Sequence, residues 1–170
     1  MQSFLSIGWI KSDAVVGTSE GYLYRFQGRK LENKVKAHHS GINVIHSYQG
    51  GIITGGNDGV VSFWDEQLVC QSSIDNVKSE IKSVFMSNES KKVVLGTSNN
   101  EIWELSPDDN GYGTHENPLI SCHFDEKLCG LAINPTKSHF VTIGDDRTMR
   151  IWDIFDHKMI LMKTLDMKAR

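Results

Sequence analysis

The stretch Gly144-Asp145-Asp146-Arg147-Thr148-Met149-Arg150-Ile151-Trp152-Asp153-Ile154 (GDDRTMRIWDI) reads as a small acidic turn followed by an alternating strand that closes on Trp-Asp. Period-2 alternation after a Gly/Asp cluster is a strand signal. The same pattern occurs three more times: Gly17 to Phe26 (GTSEGYLYRF), Gly55 to Trp64 (GGNDGVVSFW) and Gly96 to Leu105 (GTSNNEIWEL). The turn residues Glu20, Asp58, Asn99 and Asp146 lie 38, 41 and 47 positions apart, and the strand-end residues Phe26, Trp64, Leu105 and Trp152 keep those intervals. The opening stretch is one of four copies.

Each copy has an apolar alternating strand (Ile42 to Val44; Leu131 to Ile133), a short turn and a small-residue strand (Gly51 to Thr54; Phe140 to Ile143). The acidic turn, the Trp-ending strand and a weaker fourth strand such as Lys158 to Met162 follow. Four short strands recurring every 40 or so residues, without sustained helical periodicity, describe an all-β protein built of four-stranded antiparallel propeller blades. The intervals divide the chain into blades of approximately 1–36, 37–76, 77–122 and 123–165. Propellers generally close with four to eight blades. The expectation is a partial propeller belonging to a larger ring, with open blade edges that favour self-association; a closed four-bladed ring is the alternative.

The chain has 170 residues, a formal net charge of −3 and ordinary proportions of aromatic and charged residues. That composition suits a globular fold and gives no general attraction to nucleic acid or an anionic membrane. There is no apolar run of about 18 residues for a membrane span and no signal-peptide pattern, so the reading is cytoplasmic. Cys70, Cys122 and Cys129 form no CxxC pair. Cys122, His123, Cys129 and His115 lack the close pairing of structural zinc sites, so neither a metal nor a cofactor is expected. The paired glycines Gly50-Gly51 and Gly55-Gly56 lack the Lys-Ser/Thr and helix of a phosphate loop.

The stretches GGNDGVVSFWD and GDDRTMRIWD resemble WD-repeat blades. With VVGTSEGYLYRFQGRKL, KAHHSGI and LCGLAINPTKSHFVTIGDDRTMRIWD they are most similar to the echinoderm microtubule-associated protein-like family. The resemblance implies a structural tetrad in which His, Ser/Thr, Asp and Trp form a hydrogen-bonded chain. His38, Thr54, Asp58 and Trp64 match it in the second blade, and Thr142, Asp146 and Trp152 in the fourth. There the His slot falls on Phe124, beside His123, so only the second blade is expected to complete the chain. The first blade offers Glu20 and Phe26, the third Asn99 and Leu105. Such groups are tolerable inside a protein only when each finds a partner, and the repeat places them on separate blades. Neither fact suits a catalytic triad, which needs its members converging on one site.

The resemblance also implies a non-enzymatic protein-protein interaction scaffold whose partner is tubulin or microtubules, with a cytoskeletal location. The alternatives are a WD-repeat regulatory subunit of a ciliary or ubiquitin-ligase assembly and, more distantly, a propeller hydrolase. Ser19, Asn57, Ser98 and Asp145 precede the turn acid in the four copies and are candidate interface positions. The long connection from Pro107 to Pro118 adds Tyr112 and His115, expected to project from a loop. The family's N-terminal coiled coil and the hydrophobic motif ahead of its propeller have no counterpart in the sequence.

Overall fold

The computed structural model describes residues 2–108, 111–114, 118–123, 128–156 and 158–164. Its secondary structure, among the described residues, is entirely β. The first blade is β1 (Phe4–Ile10), β2 (Asp13–Thr18), β3 (Tyr22–Gln27) and β4 (Lys30–Lys36). The second is β5 (Ile42–Tyr48), β6 (Gly51–Gly56), β7 (Val61–Asp65) and β8 (Cys70–Ile74). The third is β9 (Ile81–Met86), β10 (Val93–Thr97), β11 (Glu101–Asp108) and β12 (Gly111–Thr114). After the short β13 (Ile120–Ser121), the fourth is β14 (Leu128–Ile133), β15 (His139–Gly144), β16 (Thr148–Asp153) and β17 (Met159–Thr164). In every blade the strands pair antiparallel in chain order.

Registers repeat with the sequence. The first strand of each blade carries an irregularity at one equivalent place, after Phe4↔Thr18, Ile42↔Gly56, Ile81↔Thr97 and Leu128↔Gly144. The residue after the turn acid has positive φ in all four copies: Gly21 (76°), Gly59 (74°), Asn100 (54°) and Arg147 (58°). Glycine adopts this conformation freely and asparagine tolerates it; an arginine is strained there.

The chain forms two compact units. One comprises Met1–Ser98 with Ile102–Asn117, the other Asn99–Glu101 with Pro118–Arg170. In the first, blades stack through two apolar clusters. Ile10, Val15 and Leu23 of the first blade meet Ile42, Ile45, Ile52 and Trp64 of the second. Ile53, Val61 and Phe63 on the other side of the second blade meet Ile81, Val84, Leu95 and Leu105 of the third. Glycines let the sheets approach: a Cβ on Gly17 would lie 2.9 Å from the Ile42 side chain, and one on Gly55 2.8 Å from Ile81 Cβ. In the second unit the buried residues, among those described, are polar: Ser121, Thr142, Thr148 and Arg150.

The segment expected to be a long loop folds differently. Asp108↔Gly111, Pro107↔Tyr112 and Leu105↔Thr114 pair as a hairpin, making 111–114 the fourth strand of its blade. Tyr112 does not project: its ring stacks on Phe63 at 4.3 Å and 7°. Aromatic stacking on the apolar cluster outweighs the turn-like composition of the segment. His115 lies outside the described residues.

Candidate functional site

The most organised polar chemistry is the His–Asp–Thr–Trp chain. In the second blade His38 lies before β5, Thr54 on β6, Asp58 in the β6–β7 turn and Trp64 on β7. His38 Nδ1 is 3.0 Å from Asp58 Oδ1, His38 Nε2 is 2.7 Å from Thr54 Oγ1, and the Trp64 indole N–H donates to Thr54 Oγ1 at 2.9 Å. Asp58 also accepts the backbone N–H groups of His39 and Val60. The chain fixes its own protons. A carboxylate only accepts, so Nδ1 carries the hydrogen, and Nε2 is free to accept the threonine hydroxyl, whose oxygen already takes the indole N–H.

Burial pulls the His38 imidazole below its ordinary value, the attraction of Asp58 offsetting this only in part. Burial alone would raise the Asp58 carboxyl, but His38 and the backbone donors prevail and hold it below the usual range.

The fourth blade builds the same chain, which corrects the expectation that only the second could. His123, not Phe124, supplies the imidazole: Nδ1 is 2.9 Å from Asp146 Oδ1 and Nε2 2.8 Å from Thr142 Oγ1. Trp152 donates to Thr142 Oγ1 at 2.8 Å. Thr142 stands 4 residues before the acid and 10 before the indole, as Thr54 does, but 19 residues after its histidine where Thr54 stands 16 after His38. The strands and turn fix the first two separations; the connection ahead of them varies, so counting back from the acid misplaces the imidazole. Phe124 lies outside the described residues.

Asp146 gains side-chain donors that Asp58 lacks. Thr148 reaches it with its hydroxyl (2.9 Å) in addition to its N–H (3.1 Å), the counterpart of the Val60 N–H on Asp58. The buried Arg150 guanidinium donates to it at 3.0 Å and to the Ser121 carbonyl. Burial would raise the Asp146 carboxyl, but the bonds from His123 and Thr148 hold it below the usual range. Arg150 was missed because it sits in an alternating strand where charge ordinarily faces solvent; its position four residues after the acid was the available signal.

Thr–His–Asp in line has the connectivity of a hydrolytic triad, yet Thr54 is fully buried and its oxygen already serves the indole and the imidazole. A nucleophile needs a reachable face. The remaining candidates are dispersed. Asn57, Ser98 and Asp145 are exposed and Ser19 half-buried. The N–H groups of Ser19, Asn57 and Ser98 bond to the carbonyls of Ser3, Gly41 and Glu80, which orients the turns. The Asp145 carboxylate lies 2.8 Å from the Cys129 thiol. Several lysines are engaged: Lys34 and Lys36 lie over the Tyr22 ring at 4.3 and 4.7 Å, while Lys82 and Lys92 pair with Glu80 and Glu104. A cleft of about 450 Å3 beside the His38–Asp58 pair is lined by Lys36, His39, Ser73 and Asp75, giving it mixed charge. Cys70, Cys122 and Cys129 are exposed and in no disulfide. Among the described residues no three His, Cys, Asp or Glu side chains could hold a metal, and no helix is long and apolar enough to cross a membrane.

Four-stranded blades pinned by this chain of bonds define WD-repeat proteins. The WD40 family (WD domain, G-beta repeat) matches residues 29–65 and 113–153, so the chain carries WD40 repeats in those two stretches. It is 29% identical over 147 residues to the ciliary WD repeat-containing protein ctxp80 of Euplotoides octocarinatus, covering 86% of this chain and 19% of that protein. It is 27% identical to the mouse echinoderm microtubule-associated protein-like 2 (93% of this chain, 24% of the relative). With the 77 kDa echinoderm microtubule-associated protein of Strongylocentrotus purpuratus the identity is 29% (91% and 22%). The chain thus spans less than a quarter of each of these relatives. Among solved structures, the computationally designed Ika4 protein shares the fold with a TM-score of 0.57 and 18% identity, covering 89% of this chain and 91% of that one. A chain of the mitotic checkpoint complex gives 0.60 and 12% (97% and 52%).

Proposed function

We propose that this chain is a non-enzymatic protein-interaction scaffold, part of a larger WD-repeat propeller that works on the microtubule cytoskeleton in the cytoplasm. One observation carries the scaffold reading: the groups that could do chemistry are spent on one another. Each imidazole has a partner at both nitrogens, each threonine oxygen holds an indole, and each carboxylate is held by several donors. The tetrads act as fasteners of the blades, and the exposed turn positions Asn57, Ser98 and Asp145, with half-buried Ser19, form the rim offered to partners. The names of the relatives support the microtubule setting, and tubulin is the partner that follows.

Co-pelleting of the purified chain with polymerised tubulin across a salt series tests this. Binding at low ionic strength that weakens as salt screens it is expected. Absence from the pellet at the lowest ionic strength removes tubulin and leaves the scaffold to another assembly. Stoichiometric metal together with turnover on a hydrolase substrate panel would overturn the scaffold reading itself.

A further inference from the structure

In the first unit the blades meet chiefly through their first strands, β1, β5 and β9, so the fourth strand of each is the outermost. Neighbouring blades of a propeller cover one another's faces and leave that outer edge unpaired. The second blade already has a neighbour on each side, so the edge of its fourth strand, β8, stays open in a ring of any size. An open edge is a template for another strand, and proteins usually guard it with charge, proline or shortness. β4 is guarded by Lys30, Glu32, Lys34 and Lys36, and β17 carries Lys163. β12 has four residues, two of them glycine. β8 (Cys70-Gln71-Ser72-Ser73-Ile74) has neither charge nor proline, and no strand pairs with its outer side among the described residues. A one-residue irregularity does not set it apart, since β4 and β17 carry the same one.

The two sides of β8 differ. Toward the third blade, β12 packs against it, with Tyr112 stacked on Phe63, the residue opposite Ser72. Toward the first blade the register Ile45↔Thr54↔Ser62↔Ser73 brings the Ser73 side chain to the side that Ile45 shares with the first-blade cluster. There Ser73 lines the cleft of about 450 Å3, whose opposite wall is Lys36 and Ala37 at the end of β4. Besides the imidazoles of His38 and His39, the charged side chains lining it are Lys36, Asp58 and Asp75. The Lys36 ammonium is already held: it donates to the Glu20 carbonyl and lies over the Tyr22 ring. Asp75 is exposed, and the donors around Asp58 keep its carboxyl ionised. Two carboxylates against one occupied ammonium leave the cleft selective for a cation, directly beside the unguarded edge.

We propose that β8 takes up an extended segment of a partner protein as a fifth strand of the second blade, and that a lysine or arginine of that segment, opposite Ser73, enters the cleft between Asp58 and Asp75. Backbone pairing supplies the affinity of such strand addition and the side-chain pocket its specificity. Side chains alternate along a strand, so the residues flanking the cation turn toward β12. The inference rests on the scaffold reading and gives it a second surface, made by an outer strand rather than by the exposed turns.

The test uses a capped peptide of about seven residues, alternating threonine and valine around a central arginine. Amide proton–nitrogen spectra of the full chain are followed as the peptide is added up to about 1 mM. Saturable shifts are expected at Ser72, Ser73, Asp75 and Lys36. Replacing the peptide arginine by glutamate turns attraction into repulsion and is expected to weaken binding about tenfold. Methylating alternate backbone N–H groups of the peptide removes ladder donors but keeps every side chain, and is expected to abolish binding. Asp75→Lys, at an exposed position, is expected to fold and to reverse the preference in favour of the glutamate peptide; the peptide comparisons need no variant. Three results would overturn the proposal: no shift at these residues at the highest concentration, equal binding of the methylated peptide, or indifference to the exchange of arginine for glutamate. Shifts confined to the turns at Asn57 and Ser98 would also overturn it while leaving the scaffold reading in place.

Discussion

The second and fourth blades carry the same four side chains and bury different ones. In the second, the His38 side chain is fully buried and the Asp58 side chain 12% exposed; in the fourth, the Asp146 side chain is fully buried and His123 10% exposed. A buried neutral imidazole needs only its two partners. A buried carboxylate needs charge or many donors, since the cost of desolvating it exceeds what one histidine returns. The fourth blade supplies them through Thr148 and Arg150, where the second has Val60 and Ser62. Their surroundings differ in the same sense. The second blade lies between two apolar clusters, whereas the buried residues of the fourth, among those described, are polar. One tetrad decorates a core; the other stands in for one.

The contrast is broken most forcefully at the acids. Asp146→Ala leaves the buried Arg150 guanidinium without its counter-charge and is expected to cost about 3–5 kcal/mol, read as loss of amide protection around Thr142 and Trp152. Asp58→Ala leaves the imidazole N–H and two backbone N–H groups without an acceptor and is expected to cost about 1–3 kcal/mol, read around Thr54 and Trp64. Asn99→Ala, at the exposed equivalent in the third blade, is expected to stay within about 0.5 kcal/mol. Equal losses for the two aspartates would erase the distinction.

Acid sharpens the comparison next. His38 has a depressed value when folded, so below about pH 6.5 the unfolded chain binds a proton that the folded imidazole refuses, and stability falls as pH drops. Asp58 and Asp146, also depressed, hold their contribution above about pH 4 and lose it below. Urea midpoints of the first unit should therefore decline between pH 7.5 and 5. His38→Gln should reduce that decline, the remainder coming from His46, which burial also depresses, and should shrink the share of the acid limb that Asp58 owes to His38; a flat wild-type profile would contradict the assignment. The smallest effect is a gain. Arg147 occupies the left-handed turn position that glycine fills in the first two blades, so Arg147→Gly is expected to stabilise the fourth blade by up to about 1 kcal/mol, checked by its thermal midpoint.

The turn and the two strands around it were legible in the sequence because hydrogen-bond register fixes their lengths. Thr54 and Thr142 stand 4 and 10 residues before the acid and the indole in both complete blades. His123 was not legible by counting, since the segment ahead of the hydroxyl is free to lengthen; it is, however, the only histidine between residues 118 and 127. The strand at 111–114 was hidden by its glycines, and what makes it a strand is a distant partner, the Phe63 ring under Tyr112. Arg150 was hidden because alternation says which face a residue takes and says nothing about whether that face is wet.

The unequal spacing between imidazole and hydroxyl has a practical side. Three extra residues have been accommodated there without moving a single member of the tetrad out of hydrogen-bond range. The stretch between the two is thus a natural place to graft a peptide tag or a foreign recognition loop into a blade, whereas the four-residue step from threonine to acid would admit none.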